Sequence, residues 1–265
     1  MIRLFTILTA LLTVFALRSQ ENTISKNVSS LTLNSPQLGK DKKIWLYLPH
    51  DYAASGKSYP VIYMHDGQNL FDAKTSAFGE WDADRVLDSL NADVIVVGIE
   101  HGGDKRIDEL TPYPHPKYGG GGADVYLDFI VKTVKPYIDK NYRTKGNRKN
   151  TIIWGSSLGG LTSYYALLKY PDVFGMAGVF SPSFWFTDDI YKLTESTPKI
   201  KRKIYFMAGE SESEDMVPDL LKMQKLLQDK NNPPKMELKI IKGGKHNEKL
   251  WRKAFAEAYL WLIKD

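Results

Sequence analysis

Cysteine is absent from all 265 residues. Its absence rules out a disulfide framework, a cysteine nucleophile, a thiolate metal site and cysteine-linked lipid, so the core alone must hold the fold. Internal repeats and low-complexity linkers are also lacking, and the length suits one large α/β domain. Excess charge is small, at +5 formal charges. The basic residues are scattered, with small clusters at Lys40–Lys43, Arg143–Lys149 and Lys199–Lys203. No nucleic-acid-binding module accompanies them, so nucleic acid is not an expected partner. Long apolar runs are missing as well. Leu4–Leu17, preceded by Arg3, is too short for a comfortable membrane span and reads as the core of a signal peptide. The expectation is therefore a leader at 1–20 cut near Arg18–Glu21, a single domain at 21–265, and an exported protein without stable membrane insertion. An uncleaved N-terminal anchor is the alternative.

What is present points to a packed enzyme-sized core: 43% hydrophobic and 12% aromatic residues. Strand-like runs at Lys43–Leu48, Tyr59–His65, Asp93–Ile99, Thr151–Trp154, Val173–Phe180, Lys203–Ala208 and Met236–Ile241 alternate with helical patterns. The helical segments are Val125–Ile138, Leu161–Lys169, Val217–Asp229 and Lys249–Ile263, with Pro136 expected to kink or end the first. Alternation of this kind predicts an α/β fold, a mostly parallel central sheet with helices on both faces. Ligands then sit beyond the carboxyl ends of the strands.

One such end carries Gly155-Ser156-Ser157-Leu158-Gly159, a G-x-S-x-G sequence between a strand and a helix. A serine on that sharp turn projects from the sheet as a nucleophile, and side chains at Gly155 or Gly159 would clash with neighbouring elements. A serine hydroxyl needs a base to take its proton. Of the five histidines, only His246 follows Ser157, in a loop after a strand. The acid that orients the base should lie between them at a strand end. Glu210, Glu212, Glu214 and Asp215 follow the strand ending near Ala208. Glu212 is favoured, with Asp215 and Glu210 as runners-up, while Asp188 and Asp189 come too early. The oxyanion donors expected are the Leu158 N–H and one from Gly67 or Gln68, with Gly67 letting the backbone approach the substrate.

These residues resemble the esterase D-like family of α/β hydrolases. The likeness runs from about Lys42 to the C-terminus. It rests on His65-Asp66-Gly67-Gln68-Asn69-Leu70-Phe71-Asp72, Val97-Gly98-Ile99-Glu100, Arg106 through Glu109 to Pro112, the elbow, Ser181-Pro182-Ser183-Phe184-Trp185, and Gly244-Lys245-His246-Asn247-Glu248 before Trp251. The siderophore-esterase-like and the feruloyl or acetyl-xylan esterase branches are nearest. The resemblance implies the α/β-hydrolase fold, Ser157 as nucleophile, His246 as base and an acid near Glu212, with no cofactor. The spacing of Asp66, Asp72, Asp82, Asp84 and His65 fits no metal motif. Arg106 is expected in a structural ion pair with Glu109 or Glu100. Phe184, Trp185 and Trp81 are candidate pocket residues, Trp251 a core residue, and Gly119–Gly122 a lid or a plain connector. The function expected is a serine carboxylic ester hydrolase working through an acyl-enzyme on sugar-linked acyl or feruloyl esters, or on a siderophore ester. An acyltransferase and a non-catalytic binding protein are the rivals.

Overall fold

The three strands richest in β-branched residues are apolar on both faces, and this decides the architecture. A computed structural model describes residues 23–264, and the predicted leader lies outside them. Strands β1 (Val28–Ser35), β2 (Lys40–Tyr47), β3 (Val61–His65), β4 (Ile95–Ile99), β5 (Pro114–His115), β6 (Gly119–Gly120), β7 (Thr151–Ser156), β8 (Met176–Phe180), β9 (Lys203–Gly209) and β10 (Lys235–Ile241) alternate with eight helices. The helices are α1 (Ala83–Ser89), α2 (Arg106–Glu109), α3 (Ala123–Phe129), α4 (Lys135–Asn141), α5 (Leu158–Lys169), α6 (Asp189–Ser196), α7 (Met216–Gln228) and α8 (Glu248–Ile263). Every residue of β3, β4 and β7 is buried. Such strands must be covered on both faces by helices.

The main sheet has eight strands in the order β1-β2-β4-β3-β7-β8-β9-β10. β2 runs antiparallel to β1 and β4, and the other neighbours are parallel. This is the expected α/β-hydrolase arrangement. One apolar cluster lies under α3 to α7, joining Tyr63, Tyr126, Leu161, Ile190 and Leu220. The other lies under α1 and α8, joining Leu87, Trp154, Tyr205, Trp251 and Phe255. The edge strands β1 and β10 alternate exposed and half-buried residues, as strands with one solvated side should.

Several boundaries differ from the sequence expectation. Tyr59 makes only an isolated bridge to Thr144, and β3 starts after Pro60, which has no N–H for a ladder. The helix expected at Val125–Ile138 spans α3, a π-turn at Ile130–Val134, and α4. Pro136 therefore neither ends it nor breaks it, because the wide turn absorbs the missing N–H. The Gly119–Gly122 segment begins in a short hairpin, with β5 paired to β6.

Both ends of the described residues close on the same side of the sheet. Thr23 Oγ1 donates to Glu80 at 2.8 Å, Ser25 N to Asp84 at 2.7 Å and Ser25 Oγ to Asp88 at 2.7 Å. From α8, Arg252 reaches Asp82 at 3.5 Å. No helix among the described residues is long and apolar enough to cross a membrane.

Gly178 of β8 shows how tightly the second cluster is packed, since a Cβ there would lie 2.2 Å from the Trp154 ring. Gly178→Ala is expected to cost about 1–3 kcal/mol and lower Tm by about 2–12 °C. Calorimetry of the purified variant measures this, and an unchanged Tm would contradict the packing.

Candidate active site

At the carboxyl edge of the sheet the chain makes a sharp strand-to-helix turn. β7 ends at Ser156, α5 begins at Leu158, and Ser157 between them has φ 57° and ψ −124°. A non-glycine residue rarely holds such angles, and the surroundings must enforce them. Here the Ser157 N–H donates to Phe180 O at 3.0 Å. A Cβ at Gly155 would lie 2.7 Å from the Gly159 carbonyl carbon, so the strand and helix can meet only without side chains. Ser157 Oγ lies 3.4 Å from Ser183 Oγ. As the first residue of α5, Leu158 has an N–H with no intrahelical acceptor.

The loops after β9 and β10 bring two of the predicted residues together. A Cβ on Gly209 would lie 2.4 Å from Gly244 O, and Ser211 N donates to that same oxygen at 2.9 Å. Across this contact Glu212 Oε2 lies 2.6 Å from His246 Nδ1. Glu212 is 1% exposed along its side chain, while that of His246 is 37% exposed. The second carboxylate oxygen accepts from Ser181 Oγ at 2.7 Å and from the Gly209 N–H. Ser181, buried and at φ 41°, accepts in turn from Trp251 Nε1 at 2.9 Å. A carboxylate at Nδ1 holds the proton there and leaves Nε2 as the basic nitrogen. The runners-up are placed otherwise. Glu210 accepts from Gly243 N at 3.1 Å, and Asp215 precedes α7 on the cavity rim.

The loop after β3 forms the opposite wall. Gly67 also has a packing role. A Cβ there would lie 2.7 Å from the Gly98 carbonyl carbon, so Gly67 seats the loop on β4. Gln68 lines the cavity, and its Oε1 accepts from His101 N at 3.3 Å. Asp66, at φ 56°, is clamped by Arg106, with Nε to Oδ1 at 2.7 Å and Nη2 to Oδ2 at 2.8 Å. Arg106 is thus in an ion pair, but not with Glu109 or Glu100. Glu109 is held by Lys40 and Lys42, and Glu100 by Trp45 Nε1 and Lys43. Arg106 holds the Asp66 carboxyl below the usual range against the opposing pull of burial. His65, beneath the elbow, shares a 2.9 Å hydrogen bond between Nδ1 and the Tyr126 hydroxyl. Burial pushes its pKa down to about 4, so it is neutral at ordinary pH.

Two concavities meet at Ser157 and His246. The larger, about 690 Å³, has Gln68, Trp81, Arg106 and Trp251 in its walls. The smaller, about 430 Å³, is lined by Ser183, Trp185, Glu212 and Met216. Trp185 is 49% exposed and touches Tyr118 and His115 of the hairpin segment. Phe184, expected in the pocket, is instead buried against Tyr164 and Tyr191 in the core. Trp251, expected in the core, is buried but also contributes to the cavity wall and supports Ser181. The sequence reading assigns no role at the site to His65, Ser181 or Ser183. Among the described residues no group of three or more His, Asp or Glu could hold a metal.

A family model described as "Putative esterase" matches residues 35–262. The chain belongs to this esterase family. It is a carboxylic ester hydrolase. The uncharacterized protein YbbA of Bacillus subtilis is 29% identical over 84% of this chain and 92% of its own length. The siderophore enterobactin esterase of Emericella nidulans is 29% identical over 51% of the chain and 50% of that protein. The crystal structure of the BES protein from Bacillus cereus superimposes with a TM-score of 0.74 over 93% of this esterase and 98% of that chain, at 23% identity, and so shares the fold.

The Asp66–Arg106 clamp gives a direct test of how the loop is held. Arg106→Ala leaves a buried carboxylate unpaired and is expected to cost about 3–5 kcal/mol. Arg106→Lys should recover only part, because an ammonium cannot make the two-pronged contact. Urea denaturation of both variants checks the order, and an unchanged Arg106→Ala midpoint would refute it.

Proposed function

We propose that the protein is an exported serine esterase that works through an acyl-enzyme. Its substrates are sugar-linked acyl or feruloyl esters, or a siderophore ester. The observation that carries this reading is the 2.6 Å Glu212–His246 contact on the cavity that Ser157 enters from a positive-φ turn. In this reading Ser157 Oγ attacks the ester carbonyl carbon while His246 Nε2 takes its proton. Glu212 fixes the ring and stabilises the imidazolium. The oxyanion is held by the Leu158 N–H and an N–H of the Gly67–Gln68 loop. His246 then hands its proton to the departing alcohol oxygen as the carbon–oxygen bond breaks. Water attacks the acyl-serine by the same route in reverse. In the resting conformation Ser157 Oγ points to Ser183, and the serine–histidine contact closes as substrate binds, as happens in many unliganded hydrolases. Trp185, beside Met216 in the smaller cavity, offers an apolar face for the acyl group. The apolar run at residues 4–17 supports export.

Ser157→Ala and His246→Ala are each expected to lower kcat on p-nitrophenyl acetate by at least about 10⁴-fold. Glu212→Gln should lose up to about 10⁴-fold through the wrong imidazole tautomer. A fluorophosphonate probe should label wild type and spare Ser157→Ala. Wild-type-like turnover by Ser157→Ala would end the serine mechanism.

A further inference from the structure

Glu248 is the first residue of α8, two positions after His246, and lines the larger cavity beside Ser157. Its side chain is not the helix cap, for Asn247 Oδ1 accepts from Leu250 N at 3.1 Å in that role. Only 5% of the residue is exposed. No other residue among those described gives its carboxylate a hydrogen bond or an ion pair. Its own backbone N–H is its one donor, and a carboxylate with a single donor keeps acceptor sites open. Burial, with some help from Asp66, pushes its pKa up. The natural cation for it would be Arg106, but both of that side chain's bonded nitrogens are turned to Asp66. His101, on the same wall, is held towards its neutral form by burial. The cavity therefore offers an acceptor with open sites, and no spare cation to draw an anionic ligand.

We propose that Glu248 is a specificity residue that accepts a hydrogen bond from a hydroxyl on the alcohol portion of the ester, in substrates whose alcohol is a sugar or another polyol. This rests on the reading of His246 as the group that protonates the leaving oxygen. That proton transfer puts the alcohol beside His246, where the two cavities meet, and on the larger side the wall beyond His246 is Glu248. The acyl group then takes the side of Trp185 and Met216. A carboxylate here favours neutral hydroxyl donors and repels an anionic alcohol.

Mono-acetylated xylobiose and ethyl acetate share the acyl group and differ only in the alcohol. The ratio of their kcat/KM values is the quantity to measure, in wild type and in the isosteric Glu248→Gln variant. The ratio is expected to fall about tenfold or more in the variant, chiefly through KM, as for loss of a hydrogen bond to a charged group. A ratio unchanged within about twofold overturns the proposal. So does a wild type that hydrolyses ethyl acetate but not the sugar acetate, while leaving the serine mechanism intact. If neither ester is turned over, binding of unesterified xylobiose to Ser157→Ala is followed through the fluorescence of Trp81 and Trp251. Saturable binding weakened by Glu248→Gln supports sugar recognition independently of catalysis, and no binding refutes it. Thermal melts confirm that the variant is folded.

Discussion

Backbone must approach backbone at the carboxyl edge of the parallel sheet, and everything at the site depends on that approach. Three contacts make it possible: Gly67 against Gly98, Gly155 against Gly159, and Gly209 against Gly244. The first seats the loop that ends one strand, the second sharpens the serine turn, and the third brings the Glu212 and His246 loops into register. None of these contacts contributes chemistry. Each brings main chain closer than a Cβ would allow, and the reacting groups take their spacing from the result.

Around this frame several buried carboxylates are paired. Asp66 has Arg106, Glu109 has two lysines, and Glu212 has donors on both oxygens. Pairing of this kind is what makes buried charge tolerable. It also rigidifies the groups that must stay aimed. Glu212 is fixed from behind by Ser181, which is fixed by Trp251, so the orientation of the histidine is referred back to the last helix. Glu248 differs from these, since the donor its carboxylate has is its own backbone N–H.

Much of this was legible in the sequence wherever a signal was local. The buried strands announced themselves as β-branched runs, and the elbow as glycines around a serine between a strand and a helix. The order of Ser157 and His246 along the chain left one histidine to consider. Other features had no local signal. β1 is a polar edge strand, VSSLTLNS, whose one strand partner is β2. α1 is seven residues long, too short to show a period. The choice among Glu210, Glu212 and Asp215 turned on a single loop turn. The partner of Arg106 lies 40 residues away, and the Trp251–Ser181 link spans 70. Contacts at that range arise from topology, which a single sequence shows only in outline.

The two ends of the described chain meet on one wall of the cavity. Thr23 and Ser25 hold the segment that carries Glu80 and Asp84, and that segment supplies Trp81 to the wall. The sixteen-residue α8 supplies Glu248 and Trp251 to the same wall. The wall is therefore assembled from segments far apart in the sequence. A chain folded only as far as α5 would carry the serine turn without the Glu248 and Trp251 wall, so the pocket, unlike the turn, depends on contacts that join the two halves of the chain.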